Sequence, residues 1–195
     1  CSGFLYGVNI AHNFISTGQV AHALVIGAEK LSCFLDWTDR GTCVLFGDGA
    51  GAVVLSGRKP HAADAPRGVL ATYLAADGRL AEHLYADGGP SSTATVGKVR
   101  MNGKEVFRNA VEHISNAVLE VTERAKVGRE EIDWFVPHQA NIRIIDAVVE
   151  RLEVPMDRVV VNLDRMGNTS SATIPIAFDE VVRAARVGNI YVNRS

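Results

Sequence analysis

Trp134-Phe135-Val136-Pro137-His138-Gln139-Ala140-Asn141 decides how this chain is read, because the periodicity changes within it. Three bulky apolar residues in a row describe a strand that runs into Pro137-His138, and from Ala140 to Leu152 the apolar positions recur at the spacing of an amphipathic helix. A strand handed directly to a helix is the unit of an α/β sheet protein. Downstream, Val159-Val160-Val161 predicts a strand ending at Asn162, Thr173 to Arg186 a last helix, and Val187 to Val192 a turn feeding a strand. Upstream, Val106, Ala110, Val111, Ile114, Val118, Val121 and Ala125 mark a long amphipathic helix over Asn102 to Val127, ended by Gly128.

The earlier part of the chain repeats the alternation. Ser2 to Thr17 predicts a helix with Cys1 at its N-terminus and Gly18 at its stop. His22 to Ala28 reads as a parallel strand buried on both faces. Thr42 to Phe46 predicts one helical turn, Gly47 to Gly51 a break, and Ala52 to Leu55 a second buried strand. Arg58 to Arg67, with two prolines among polar residues, reads as a linker and places a domain boundary. Gly68 to Ala76 predicts a strand, and Asp77 to Val99 a hairpin or excursion with little core of its own.

Composition narrows the function classes. The 195 residues are 47% hydrophobic and 22% charged, which suits a folded domain and excludes a disordered chain. Twenty Lys and Arg against 22 Asp and Glu give a net charge of -2, so no bulk attraction favours nucleic acid or an anionic membrane, and neither is an expected partner. The apolar runs fall far short of the ~20 residues that cross a bilayer. An odd count of three cysteines suits a reducing cytosol, and a cytoplasmic location is expected. The chain opens on Cys1 rather than Met, with no leader, and closes on a strand at Asn193-Arg194-Ser195. It is expected to be a piece of a longer protein.

Three segments place reactive residue types at the ends of strands or helices, where α/β proteins gather their sites. Cys1 is predicted at a helix N-terminus, where the positive end of the peptide dipoles can lower a thiol pKa from ~8.5 into the range ~3.5 to 7.5, although Cys1 also simply begins the chain. A strand end delivers His138, with Asn141 at the start of the following helix. In Gly167-Asn168-Thr169-Ser170-Ser171-Ala172, Asn168 reads as a helix cap, a turn former or an amide donor. Cys, His and Asn together form a pattern of thiol catalysis. A papain-like hydrolase shares the triad but not the strand-helix alternation or the local Cys signature.

Gly47 to Gly51 lacks the spacing of a phosphate loop and reads as tight packing at a strand entry. Cys33 and Cys43 have no His or Cys at metal-ligand spacing, so no metal is expected. His12, His22, His61, His83 and His113 read as surface or core residues. Met101 and Phe107 read as core or as the border of an acyl channel.

Cys1-Ser2-Gly3-Phe4, the run Asp39 to Ala52, Pro137-His138-Gln139-Ala140-Asn141 and Gly167 to Ala172 together resemble the β-ketoacyl-[acyl-carrier-protein] synthase III family. The resemblance implies a thiolase-like layered α/β fold of two similar halves. On it, residues 1–61 are the end of the N-terminal half, starting at the nucleophile, and 62–195 are the C-terminal half without its last glycine-rich segment. It implies that Cys1 takes an acyl group from acyl-CoA, and that His138 and Asn168 stabilise the enolate formed when malonyl-acyl carrier protein loses CO2. It also implies a homodimer with no cofactor, acyl-CoA and the carrier protein being substrates.

By position, Arg40 is expected against the CoA nucleotide, Gly103 and Asn141 along the pantetheine path, and Arg143, Arg108 and Arg151 toward the acidic carrier protein. Lys104 departs from the small polar residue that the family often has, and Glu150 weakens a positive patch around Arg151. Elongating synthases pair Cys with two His and thiolases use a second Cys, so His138 with Asn168 favours synthase III. A polyketide or secondary-metabolite condensing enzyme of the same subfamily, and an inert piece of such an enzyme, remain open alternatives.

Overall fold

The computed structural model describes residues 1–57 and 68–185. The linker at Arg58 to Arg67, the boundary near His61 and the strand at Val187 to Val192 lie outside the described residues.

Helix α1 (Gly3–Ser16) buries Phe4 and Ala11 and ends where Gly18 takes φ +74°, a left-handed value that glycine adopts without strain. Strands β1 (His22–Lys30) and β2 (Asp48–Ser56) follow and pair antiparallel, from His22 opposite Ser56 to Lys30 opposite Asp48. Two expectations are corrected here. β1 is neither parallel nor buried on both faces: Val25 is 6% exposed while Leu24 and Ile26 are 62% and 58% exposed. A continuous apolar run cannot separate one covered face from two. Nor do the glycines at 47–51 break the chain, since β2 begins at Asp48 and contains two of them. They permit close packing. A Cβ on Gly51 would lie 2.9 Å from Pro175 Cβ, and one on Gly27 would lie 2.6 Å from the Ser171 carbonyl oxygen. Bare Cα atoms let the chain entering the last helix press onto the β1–β2 ladder.

Strands β3 (Leu84–Ala86) and β4 (Val99–Met101) form a second antiparallel pair, matching the expected hairpin. Gly68 to Ala76, expected as a strand, joins no ladder among the described residues. Helix α2 (Gly103–Ala125) starts at Asn102, whose Oδ1 accepts the Glu105 N–H at 3.4 Å, and ends at Lys126 in the left-handed region, two residues before Gly128. Helix α3 (Ile142–Leu152), the short α4 (Leu163–Met166) and α5 (Thr173–Ala185) complete the order. No described helix is long and apolar enough to cross a membrane.

The strands expected at 134–136 and 159–161 contract to one parallel bridge between Phe135 and Val159. The backbone bonds around it are Phe135 N–H to Arg158 O at 2.7 Å and Val160 N–H to Phe135 O at 2.9 Å. This seam organises the core because neighbouring strand residues point to opposite faces. Phe135 and Val159 enter an apolar cluster with Ile144, Ile145, Val148, Val149 and Leu152 of α3, against which α2 packs. Val136 and Val160 enter the other cluster, with Phe4 and Ala11 of α1, Val25 of β1 and Ala177 and Val181 of α5. The layers are α1 and α5, the extended segments, then α2 and α3. The seam's end delivers His138.

Candidate active site

Cys1 is exposed and precedes α1, where Ser2 forms no side-chain cap. The unpaired N–H groups of the first helical turn therefore lie at the end that carries the thiol, with the positive pole of the helix. His138 is only partly exposed, and its ring Nδ1 lies 2.6 Å from Oγ1 of Thr173, the first residue of α5. Burial lowers its pKa from 6.5 to about 4, so the ring is neutral near pH 7. Cys1 and His138 line one cavity of about 390 Å³. Its walls are mostly apolar, from Leu5 and Val8 of α1 and Ile114 and Val118 of α2, with Tyr73 and His113 as polar accents. His113, read from the sequence as a surface or core residue, is thus a cavity residue.

The backbone around His138 is tied by its neighbour. Gln139 is 0% exposed, yet its Nε2 donates to Pro137 O and Val160 O, both at 3.0 Å, and its Oε1 accepts the Asn162 N–H at 3.0 Å. One side-chain amide replaces missing ladder bonds on both sides of the seam. The parallel pair is short for the same reason: a side chain occupies the place of the next backbone partner.

Asn168 is 6% exposed and fixed at every polar atom of its backbone and at its carboxamide oxygen. Its N–H donates to Leu45 O at 2.8 Å and its carbonyl accepts the Gly47 N–H at 3.0 Å. Its Oδ1 accepts the Ser170 N–H at 2.9 Å, which makes it the turn former, with Ser170 held at φ +52°. Nδ2 donates to Ala140 O at 3.3 Å, so the amide end points at the His138 segment and spends one of its two hydrogens there. The same loop is held from the end of β1, where Glu29 Oε1 accepts Ser171 Oγ–H at 2.6 Å and Ser171 N–H at 3.2 Å.

The structure therefore brings Cys1 and His138 to one cavity and ties Asn168, which is not among its lining residues, through Nδ2 to Ala140 O beside the His138 segment. Arg40 lies exposed in the turn at Asp39 to Cys43, and Gly103 opens α2. Asn141 caps α3, its Oδ1 accepting the Arg143 N–H at 2.9 Å, so that oxygen is committed to the helix. None of these three lines the cavity, and neither do Met101 and Phe107. Arg143 and Arg151 are exposed on α3 without an ion pair among the described residues, while Arg108 is paired with Glu105 at 2.5 Å. Sequence reasoning missed Gln139, Thr173 and Glu29. The first two left a signal: a polar residue flanking the strand-end His, and a Thr three residues after Ser170 at a helix start.

The family description 3-oxoacyl-[acyl-carrier-protein (ACP)] synthase III matches residues 1–78, and its C-terminal counterpart matches residues 122–190. β-Ketoacyl-[acyl-carrier-protein] synthase III of Bradyrhizobium sp. (strain BTAi1) is 53% identical over 187 residues, 96% of this chain and 58% of that protein. The synthase III of Sphingopyxis alaskensis is 56% identical over 187 residues, 96% of this chain and 57% of that protein. The crystal structure of the synthase III from Thermus thermophilus superposes with a TM-score of 0.86 at 45% identity, over 96% of this chain and 58% of that one. The chain thus spans 57–58% of the length of the curated relatives it matches. With both parts of one family matched and the layered α/β fold shared, the chain belongs to the 3-oxoacyl-[acyl-carrier-protein] synthase III family.

Proposed function

We propose that the protein carrying this chain performs a decarboxylative Claisen condensation that initiates fatty acid synthesis. The Cys1 thiolate attacks the carbonyl of an acyl-CoA and expels the CoA thiolate, leaving an acyl thioester on the protein. Malonyl-acyl carrier protein then loses CO2, and the enolate carbon attacks the acyl-enzyme. Cys1 leaves as thiolate and the product is 3-oxoacyl-acyl carrier protein. The observation that supports this most is that Cys1 and His138 line one mostly apolar cavity that suits an acyl thioester.

The enolate oxygen is the species that needs stabilising. Two preorganised donors aimed at it meet that need, namely an imidazole N–H from His138 and the Nδ2 hydrogen of Asn168 not spent on Ala140. Loss of one such donor costs roughly 2.7–4 kcal/mol, well above the ~1 kcal/mol of a cap. Arg40, Gly103 and Asn141 are proposed for CoA, and Arg143 before Arg151 and Arg108 for the acidic carrier protein, because Arg108 is already paired with Glu105. A homodimer, expected from the family resemblance, and a cytoplasmic location, expected from the odd count of three cysteines, belong to the same reading.

The test is acetyl transfer to the purified chain. Incubation with radiolabelled acetyl-CoA should give a stoichiometric label that Cys1→Ser abolishes. No label under native conditions favours an inert piece of such an enzyme, and a label that survives Cys1→Ser refutes the assignment of the nucleophile. Repeating the reaction with longer and branched acyl-CoA primers separates fatty acid initiation from a polyketide-priming role.

A further inference from the structure

Thr173 Oγ1 touches two polar atoms, and its hydroxyl carries one proton. His138 Nδ1 lies 2.6 Å away and the Ser170 carbonyl oxygen 2.9 Å away. A carbonyl oxygen only accepts, so a Ser170 bond requires the Thr173 O–H to point there. Both contacts are hydrogen bonds together in only one arrangement of a neutral ring: Nδ1–H donates to Oγ1, and Oγ1–H donates to Ser170 O. Thr173 is 2% exposed, so no solvent is at hand to replace either bond, and buried polar groups find their partners.

We propose that Thr173 is a positioning residue that holds resting His138 as the Nδ1–H tautomer, leaving Nε2 as the acceptor that serves the cavity Cys1 also lines. This deepens the condensation reading and rests on it for its chemical meaning. With Nε2 bare, the ring cannot donate to an enolate oxygen until Nε2 gains a proton, and the Cys1 thiol supplies one. The S–H bond breaks, the electron pair stays on sulfur, and the proton moves to Nε2. The CoA thiolate released on acyl transfer takes its own proton from solvent. Nε2–H then faces the enolate oxygen, and the proton returns to sulfur when Cys1 leaves. One proton cycles within the site and one enters from solvent, so the balance closes.

The hydroxyl's place is set by the fold. Ser170 stands at φ +52°, fixed by Asn168 Oδ1, and Ser171 is gripped by Glu29, so the Ser170 carbonyl that orients the hydroxyl is itself immobilised. The same turn thus fixes the direction of the Asn168 amide and the proton position on His138.

The experiment reads the tautomer directly, by long-range nitrogen–proton NMR of the protein labelled at histidine nitrogen, near pH 7 and without substrate. The His138 signal is assigned by its loss in His138→Gln. The wild-type ring should carry its proton on Nδ1. Thr173→Val, which keeps the shape and removes the acceptor, should move the proton to Nε2, and Thr173→Ser should restore it. Acetyl transfer to Cys1 should fall about 100-fold in kcat for Thr173→Val with KM for acetyl-CoA unchanged, and recover in Thr173→Ser. A wild-type proton on Nε2, a Thr173→Val spectrum like wild type, or a moved proton with an unchanged transfer rate each overturns the proposal. If Thr173→Val does not fold, the wild-type and Thr173→Ser spectra still decide it. Because the spectra are taken without substrate, a failure of acetyl transfer in the wild type would favour an inert piece over the condensation reading while the tautomer result stands or falls by itself.

Discussion

The α2–α3 layer and the seam beside it are buried to a similar degree by opposite means. Between α2 and α3 the buried side chains are Ile144, Ile145, Val148, Val149 and Leu152, joined by Phe135 and Val159. Around His138 the buried side chains include Gln139, Asn162, Asn168, Thr169 and Thr173. Apolar packing is non-directional and tolerates small adjustments, whereas each buried amide or hydroxyl has a required partner in a required direction. The helix layer is a platform. The seam is a fixture that sets angles, as the roles proposed for His138 and Asn168 require.

The sharpest way to break that contrast is Gln139→Leu. The volume is nearly kept, but Pro137 O, Val160 O and the Asn162 N–H all lose their partner. At roughly 1–3 kcal/mol for each orphaned group, the loss approaches the whole stability of a typical domain, about 5–15 kcal/mol. Urea unfolding should show a large fall in midpoint, and the His138 environment should change in NMR even where the protein stays folded. A loss under about 1 kcal/mol would mean the amide is not the fixture it is argued to be.

Leu152→Ala is the matching change on the platform. Leu152 is 2% exposed at the end of α3, and truncation should cost about 2–5 kcal/mol through lost burial and a residual cavity. Here the effect should stop at stability. In the folded fraction, alkylation of Cys1 by iodoacetamide and the His138 signals should match wild type. A changed His138 spectrum would show that platform and fixture are mechanically coupled.

The same contrast explains what was legible in the sequence. The platform was readable because helical periodicity reports a buried face: Ile144, Ile145, Val148, Val149 and Leu152 recur at three and four, and the observed helix runs Ile142–Leu152. Sheet pairing was not readable, since Leu24, Val25 and Ile26 look alike in a string but differ in exposure. A covering element is a property of the fold and not of the run. In the site, Cys1, His138 and Asn168 were singled out by residue type and by position at the ends of elements, and the structure places the first two on one cavity. Gln139, Thr173 and Glu29 were not, because their function is a distance to a residue far along the chain, such as the 142 residues between Glu29 and Ser171.

Acid titration distinguishes the regions most gently. His138 has its pKa lowered from 6.5 to about 4 by burial at the seam. The unfolded chain then binds this proton first as pH falls, so the neutral-ring contribution is complete above 6.5, is lost progressively between 6.5 and about 4, and is flat below. Asp36 belongs to the exposed tie between the turn after β1 and β4, where Arg100 Nη1 reaches Asp36 Oδ2 at 2.9 Å and Arg100 Nε reaches Asp87 Oδ2 at 2.6 Å. The Thr38 hydroxyl and N–H, then Arg100, lower the Asp36 pKa from 3.8 to about 2. Its contribution is present above 3.8 and lost as pH falls toward 2, together with that of Asp77, which Arg79 lowers to about 2. Urea midpoints followed against pH should therefore descend in two stages. His138→Gln should remove the upper stage alone. Asp36→Asn should reduce the lower stage alone, and its effect should fade in high salt because the pair is exposed. An upper stage that persists in His138→Gln would assign the proton to another group and remove the case for a buried neutral imidazole at the seam.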